Sequence, residues 1–89
     1  MEILFLVGCS PPPDWILLAW SESQGNLSPG SVSVLLWGEG VYNPPDRFPG
    51  SLLLLRDAVG RGIPAGERAL TDREAARWIL GAKRVITCS

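Results

Sequence analysis

Three stretches of consecutive large apolar residues constrain this chain more than anything else in it. They are Ile3-Leu4-Phe5-Leu6-Val7, Val34-Leu35-Leu36-Trp37 and Leu52-Leu53-Leu54-Leu55. A strand with one wet face alternates polar and apolar side chains, and these runs do not alternate. Short continuous runs of this kind mark strands buried on both faces, because helices cover both sides of a parallel sheet.

The segments between the runs supply the helices. Gly8-Cys9-Ser10 and then Pro11-Pro12-Pro13-Asp14 end the first strand and open a helix, with Ser10 or Asp14 as its expected cap. Ile16, Ala19 and Trp20 follow at helical spacing, and Gly25-Asn26 stops the helix. Residues 31–37 read as the second strand. A loop follows it, Gly38-Glu39-Gly40-Val41-Tyr42-Asn43-Pro44-Pro45. Glycines at the carboxyl end of a strand permit positive φ or close backbone approach. In open α/β sheets that edge is where ligands and partners meet the fold. Asn43 stands where a GxGxxG fingerprint has its third glycine, and no phosphate-binding lysine follows, so the loop does not read as a nucleotide site.

After Leu55, a short turn or helix begins at Arg56-Asp57 and ends at Arg61-Gly62-Ile63-Pro64, and residues 67–70 suggest a brief edge strand. Thr71-Asp72-Arg73-Glu74 is a capping box. Ala75, Trp78, Ile79 and Ala82 then fall at i, i+3, i+4 and i+7, with Lys83 and Arg84 expected to complement the helix C-terminus. Val85-Ile86-Thr87-Cys88 closes as the last strand. The order β-α-β-(loop or α)-β-(β)-α-β requires crossovers. The expected fold is therefore a small three-layer α/β/α domain with a mostly parallel sheet of four to five strands, one domain over residues 1–89.

Composition narrows the function. The 89 residues are 46% hydrophobic with four Trp and only 19% charged, more apolar surface than so small a body hides alone, so an oligomer is expected. The net charge of −1 excludes a general polyanion binder, and the late cluster Arg61, Arg68, Arg73, Arg77, Lys83, Arg84 is interleaved with Glu67, Asp72 and Glu74 as a solvated face. With no His, neither Ser-His-Asp nor Cys-His catalysis is available, and the commonest zinc ligand is missing. No metal or cofactor is expected. The two cysteines, Cys9 and Cys88, form no CxxC and are too few for a disulfide scaffold. Leu6-Val7-Gly8-Cys9 matches the box before a lipidated cysteine, but the start is acidic and the apolar run short. No run reaches the ~18 apolar residues of a membrane span. The expectation is a reduced cytoplasmic protein with no membrane partner.

Several of these segments resemble one family. Residues 34–42, ending in Gly40-Val41-Tyr42, are similar to the second strand and turn of the DsrH family, also called TusB. Leu53-Leu54-Leu55-Arg56-Asp57-Ala58-Val59-Gly60-Arg61-Gly62 is similar to that family's stretch ending in Ala-Arg-Gly. The capped last helix with Trp78, followed by Lys83-Arg84-Val85-Ile86, and the Ser10-Pro11 pair after the first strand are similar too. The resemblance implies a role in sulfur relay. In it, DsrE-like, DsrF-like and DsrH-like subunits assemble, and persulfide sulfur passes between cysteines toward tRNA wobble-uridine thiolation or sulfur oxidation. Such chemistry needs an accessible thiolate. The family's cysteine in the first helix falls here at or near Trp20. The DsrE-branch cysteine after the third strand falls in residues 57–64, where there is none. Neither carries over, which leaves an auxiliary subunit acting through assembly, with tRNA reached only indirectly.

The alternatives are a thiol sulfurtransferase using Cys9, placed after the first strand and near a helix N-terminus, and an unrelated homo-oligomeric α/β module. Cys9 is expected to be dispensable, since no His or second Cys is identified to activate or resolve it. Glu39, Val41 and Tyr42, in the turn after a central strand, are candidate interface residues, with Arg56 and Asp57 at the equivalent end of the third strand. Arg56, Asp57 and Arg61 are a candidate intrachain ion cluster. Trp15, Trp20, Trp37 and Trp78 read as core or subunit interface.

Overall fold

The computed structural model describes residues 1–89. β1 (Ile3–Val7) pairs with β2 (Val32–Leu36) on one side and β5 (Arg84–Cys88) on the other. β3 (Leu52–Leu54) and the two-residue edge strand β4 (Ala69–Leu70) extend the sheet beyond β2. The order is β4-β3-β2-β1-β5, and every pairing is parallel.

The register explains why the apolar runs lack alternation. Phe5 lies opposite Val34 and Ile86, while its neighbour Leu6 lies opposite Leu35 and Thr87. Successive side chains along a strand therefore feed two different cores. Phe5, Val7, Val34, Leu36 and Leu53 pack with Phe48, with Ile16 of α1 (Asp14–Asn26) and with Ala58 of α2 (Leu55–Gly60). Trp20 of α1 meets Phe48 edge-on, with ring centroids 5.4 Å apart. On the opposite face Leu4, Leu35 and Leu70 pack with Ala75 of α3 (Asp72–Gly81). Each fully buried large side chain stabilises the fold by roughly 1.5–3 kcal/mol.

Helix placement follows from the direction of travel. β1, β2, β3 and β4 step one way across the sheet, with α1 and α2 on one face. The chain then returns past three strands to place β5 beside β1, and a right-handed crossover puts α3 on the other face. Only α3 covers that second face. Val85 of β5 and Ile79 and Leu80 of α3 remain exposed there.

Local chemistry agrees with the sequence at one helix end and departs from it elsewhere. At α3 the capping box forms: Thr71 Oγ1 accepts from the Glu74 N–H at 3.2 Å, and Glu74 Oε1 accepts from the Thr71 N–H at 3.0 Å. Those bonds hold the Glu74 carboxyl below its usual range. At α1 neither Ser10 nor Asp14 is the cap. Pro13 occupies that position without a side-chain bond, and Asp14 lies in the first turn, where its charge suits the helix dipole. Lys83 and Arg84 do not serve the end of α3. The Lys83 ammonium donates to Glu2 at 2.9 Å, raising its own pKa and lowering that of Glu2, and Arg84 begins β5.

Candidate functional site: two cysteines at the strand-order reversal

The strand order reverses between β1 and β5, the place where open α/β sheets carry their ligand crevice, at the carboxyl ends of the strands. Both cysteines lie there. Cys88 is the last residue of β5, paired with Val7, and its carbonyl accepts from the Gly8 N–H at 2.9 Å, so the ladder runs one residue past β1. Cys9 is the next residue on, and its Sγ lies 3.5 Å from the Cys88 Sγ. Seventy-nine positions separate the two in the chain, so the proximity is purely tertiary. It overturns the expectation that no second cysteine is near Cys9.

The two thiols differ. Cys88 is 9% exposed and belongs to the core, whereas Cys9 is half-buried. Burial pushes the Cys88 thiol up to about 11, with the hydrogen bond and charge of Cys9 adding to it; the backbone bond with Gly8 pulls the other way. At neutral pH Cys88 is therefore a protonated thiol.

The turn after β2 holds this corner together. Gly38 has φ +52°, and its N–H donates to Asp57 Oδ2 at 2.7 Å. Gly40 lies directly against β1, where a Cβ would overlap the Val7 carbonyl oxygen. Gly8 likewise admits the Trp37 indole, which a side chain there would strike. Asn43, 3% exposed, donates from Nδ2 to the carbonyls of Cys9 at 3.0 Å and Gly40 at 2.8 Å, and its Oδ1 accepts from Arg47 at 3.1 Å. In the sequence Asn43 is marked only by standing where a fingerprint glycine would be. Its signal was an amide beside a tight turn, whose bonding partner is visible only in three dimensions.

The expected interface residues are not all exposed. Tyr42 is 51% exposed on the turn, and Glu39 presents an exposed carboxylate to Arg61 at 3.5 Å. Val41 is 2% exposed and packs in the larger core, so it does not project as a contact residue. Asp57 turns inward to Gly38, and Arg56 meets Asp72 at 3.4 Å. Arg56, Asp57 and Arg61 thus do not pair with one another through their carboxylate; each charge has a different partner.

Two surface grooves flank the sheet. One of about 330 Å³, lined by Ile3, Ala19, Glu22, Arg84 and Ile86, lies at the amino ends of β1 and β5, away from the cysteines. The other, about 200 Å³, is bounded by Leu6, Trp37, Leu54, Asp57 and Ile79 on the face that α3 half covers. No group of three or more His, Cys, Asp or Glu is placed to hold a metal ion, and no helix is long and apolar enough to cross a membrane.

A five-stranded all-parallel sheet with three helices in this order is the DsrEFH-like fold. The crystal structure of the YchN protein from E. coli is similar to this chain with a TM-score of 0.66, covering 99% of this chain and 100% of that one at 19% identity. No family model and no curated protein matches the sequence. At 19% identity the likeness is one of fold.

Proposed function

We propose that this chain is a sulfur-relay protein whose working thiol is Cys9. The observation that carries the reading is the cysteine pair at the strand-order reversal, Sγ to Sγ 3.5 Å, with one member reachable and one buried. The DsrEFH-like fold and the DsrH-like Gly40-Val41-Tyr42 turn support it. In the step, the Cys9 thiolate attacks the outer sulfur of a donor persulfide. The donor thiolate departs with the bonding pair, and Cys9 becomes a persulfide. The working unit is an assembly, of copies of this chain or with DsrE-like and DsrF-like subunits, and any tRNA is reached through those partners.

The test is loading of Cys88→Ser, whose only thiol is Cys9, with a small-molecule persulfide, followed by desalting and intact-mass analysis. The expected result is a gain of one sulfur atom, mapped to Cys9 and absent in Cys9→Ser. A protein that gains none, or gains it equally in Cys9→Ser, sinks the reading.

A further inference from the structure

A persulfide parked on Cys9 would sit against a second sulfur. Cys88 is held by the sheet on both counts that matter, its register with Val7 and its carbonyl bond to the Gly8 N–H. Burial keeps it out of reach of molecules in solution, so the one sulfur it can meet is that of Cys9. We propose that Cys88 is the resolving thiol of Cys9: it displaces the sulfur that Cys9 has accepted, as sulfide, and closes a Cys9–Cys88 disulfide. This rests on the reading of Cys9 as the sulfur acceptor.

The step balances without a further reagent. The Cys88 Sγ attacks the Cys9 Sγ, the bond from Cys9 to its outer sulfur breaks, and the outer sulfur leaves with the bonding pair. The Cys88 proton goes to that sulfur, so hydrogen sulfide is the product. The sulfane sulfur gains two electrons, and the two cysteine sulfurs lose them in forming the disulfide. An external dithiol, protein or small molecule, then reduces the disulfide and is itself oxidised.

Geometry favours this direction. Attack is in line, so the departing sulfur must point away from Cys88, and Cys9 is the less buried of the two. A separation of 3.5 Å is already near-attack distance. Closing to an ordinary disulfide takes a movement of roughly 1.5 Å. That movement falls on the loop segment Gly8-Cys9-Ser10 rather than on β5, since Cys9 lies beyond the end of its strand. Burial keeps Cys88 protonated at neutral pH, so its proton must leave as its sulfur attacks, and the departing sulfur is the base that takes it.

The experiment loads the reduced full chain with a small-molecule persulfide, removes excess reagent, and follows sulfide release and protein mass without reductant. The unsubstituted protein is expected to release its sulfur as sulfide at least about tenfold faster than Cys88→Ser, ending as an intrachain disulfide. Cys88→Ser is expected to retain the Cys9 persulfide. A parallel arm equilibrates unloaded protein in a dithiothreitol redox buffer and alkylates the remaining thiols; both thiols are expected to disappear together and return on reduction. Thermal melts of Cys88→Ser and Cys88→Ala confirm folding. If Cys9 loads but neither sulfide nor disulfide forms, the resolving role is overturned and the relay reading stands. If Cys9 never loads yet the disulfide closes reversibly, the relay reading and the resolving role both fall and the two cysteines are a redox pair without sulfur cargo. Failure of both arms overturns both.

Discussion

The Asn43 side-chain amide donates to the Cys9 carbonyl oxygen at 3.0 Å across 34 positions of sequence, while also donating to Gly40 at 2.8 Å. One buried amide therefore ties the cysteine loop after β1 to the turn after β2. The position of Cys9 relative to Cys88 depends on that tie, because Cys9 lies beyond the last strand pairing.

Replacing Asn43 tests the tie directly. Asn43→Ala leaves the Cys9 and Gly40 carbonyls without this donor and should cost about 1–3 kcal/mol in urea unfolding. Asn43→Asp should be no better, because a carboxylate oxygen then faces two carbonyl oxygens. In both variants the Cys9–Cys88 disulfide should close more slowly than in the unsubstituted chain. Unchanged stability and closure in Asn43→Ala would remove Asn43 from the site.

Two glycine substitutions should part company. In Gly40→Ala the new Cβ overlaps the Val7 carbonyl oxygen, a backbone atom that cannot swing aside. The loss should be at least about 3 kcal/mol, enough to abolish cooperative melting in a domain this small. Gly25 lies within α1 with nothing within 4 Å of an added Cβ. Gly25→Ala should stabilise by about 0.5–1 kcal/mol through helix propensity. Thermal melts of the two variants decide the matter.

Stability should fall between pH 9 and pH 11. The fold raises the Cys88 pKa from 9.0 to about 11, so the buried thiol favours the native state fully below pH 9. Above that the unfolded chain ionises first and binds fewer protons, and the advantage is lost as pH climbs through the folded value. The loss should be on the order of 2 kcal/mol. The Lys83–Glu2 pair weakens only above pH 10.5, at the top of this range, so the measurement is the difference in melting temperature across pH between the unsubstituted chain and Cys88→Ala. Parallel curves for the two would mean that Cys88 ionises in the fold as freely as outside it.

Most of the architecture was legible because it rests on local signals. The unbroken apolar runs announced β1, β2 and β3, and Thr71 with Glu74 announced α3 to the residue. Gly38 and Gly40 did what glycines at a strand end do, one by positive φ and the other by close approach to Val7. What the sequence hid was tertiary. Cys9 and Cys88 stand at opposite ends of the chain, and only the placement of β5 beside β1 brings them together. Val41 sits in a glycine-flanked loop beside the sheet's carboxyl edge, the setting of a projecting contact residue, but a turn pulled against β1 by Gly40 points that side chain into the core. The partners of Arg56 and Arg61, Asp72 and Glu39, were equally unreadable, since surface charges choose neighbours that the fold supplies.

The chain should associate in solution, and Tyr42 is the residue to test. The chain leaves Trp15, Leu18, Tyr42, Val59 and Leu80 exposed, and large apolar side chains at a surface are the material of a protein contact. On the opposite face of the sheet, which α3 alone covers, Val85 and Ile79 are exposed as well. Burying some of these side chains against a second copy makes a symmetric pair, the commonest closed arrangement. Tyr42 stands half exposed on a turn whose neighbours are fixed, with Gly40 against β1, Val41 in the core and Asn43 bonded to Cys9. A large amphipathic ring on so rigid a base loses little entropy on docking, which is what an interface anchor requires. Tyr42→Ala should therefore weaken association by about 2 kcal/mol, a rise in Kd of roughly 30-fold. Leu80→Ser, at the far end of α3, is the comparison that separates loss of an anchor from loss of apolar area anywhere. Sedimentation equilibrium at micromolar concentration is the measurement. A monomer there, indifferent to both substitutions, would show that the exposed apolar side chains are tolerated singly and serve no self-contact.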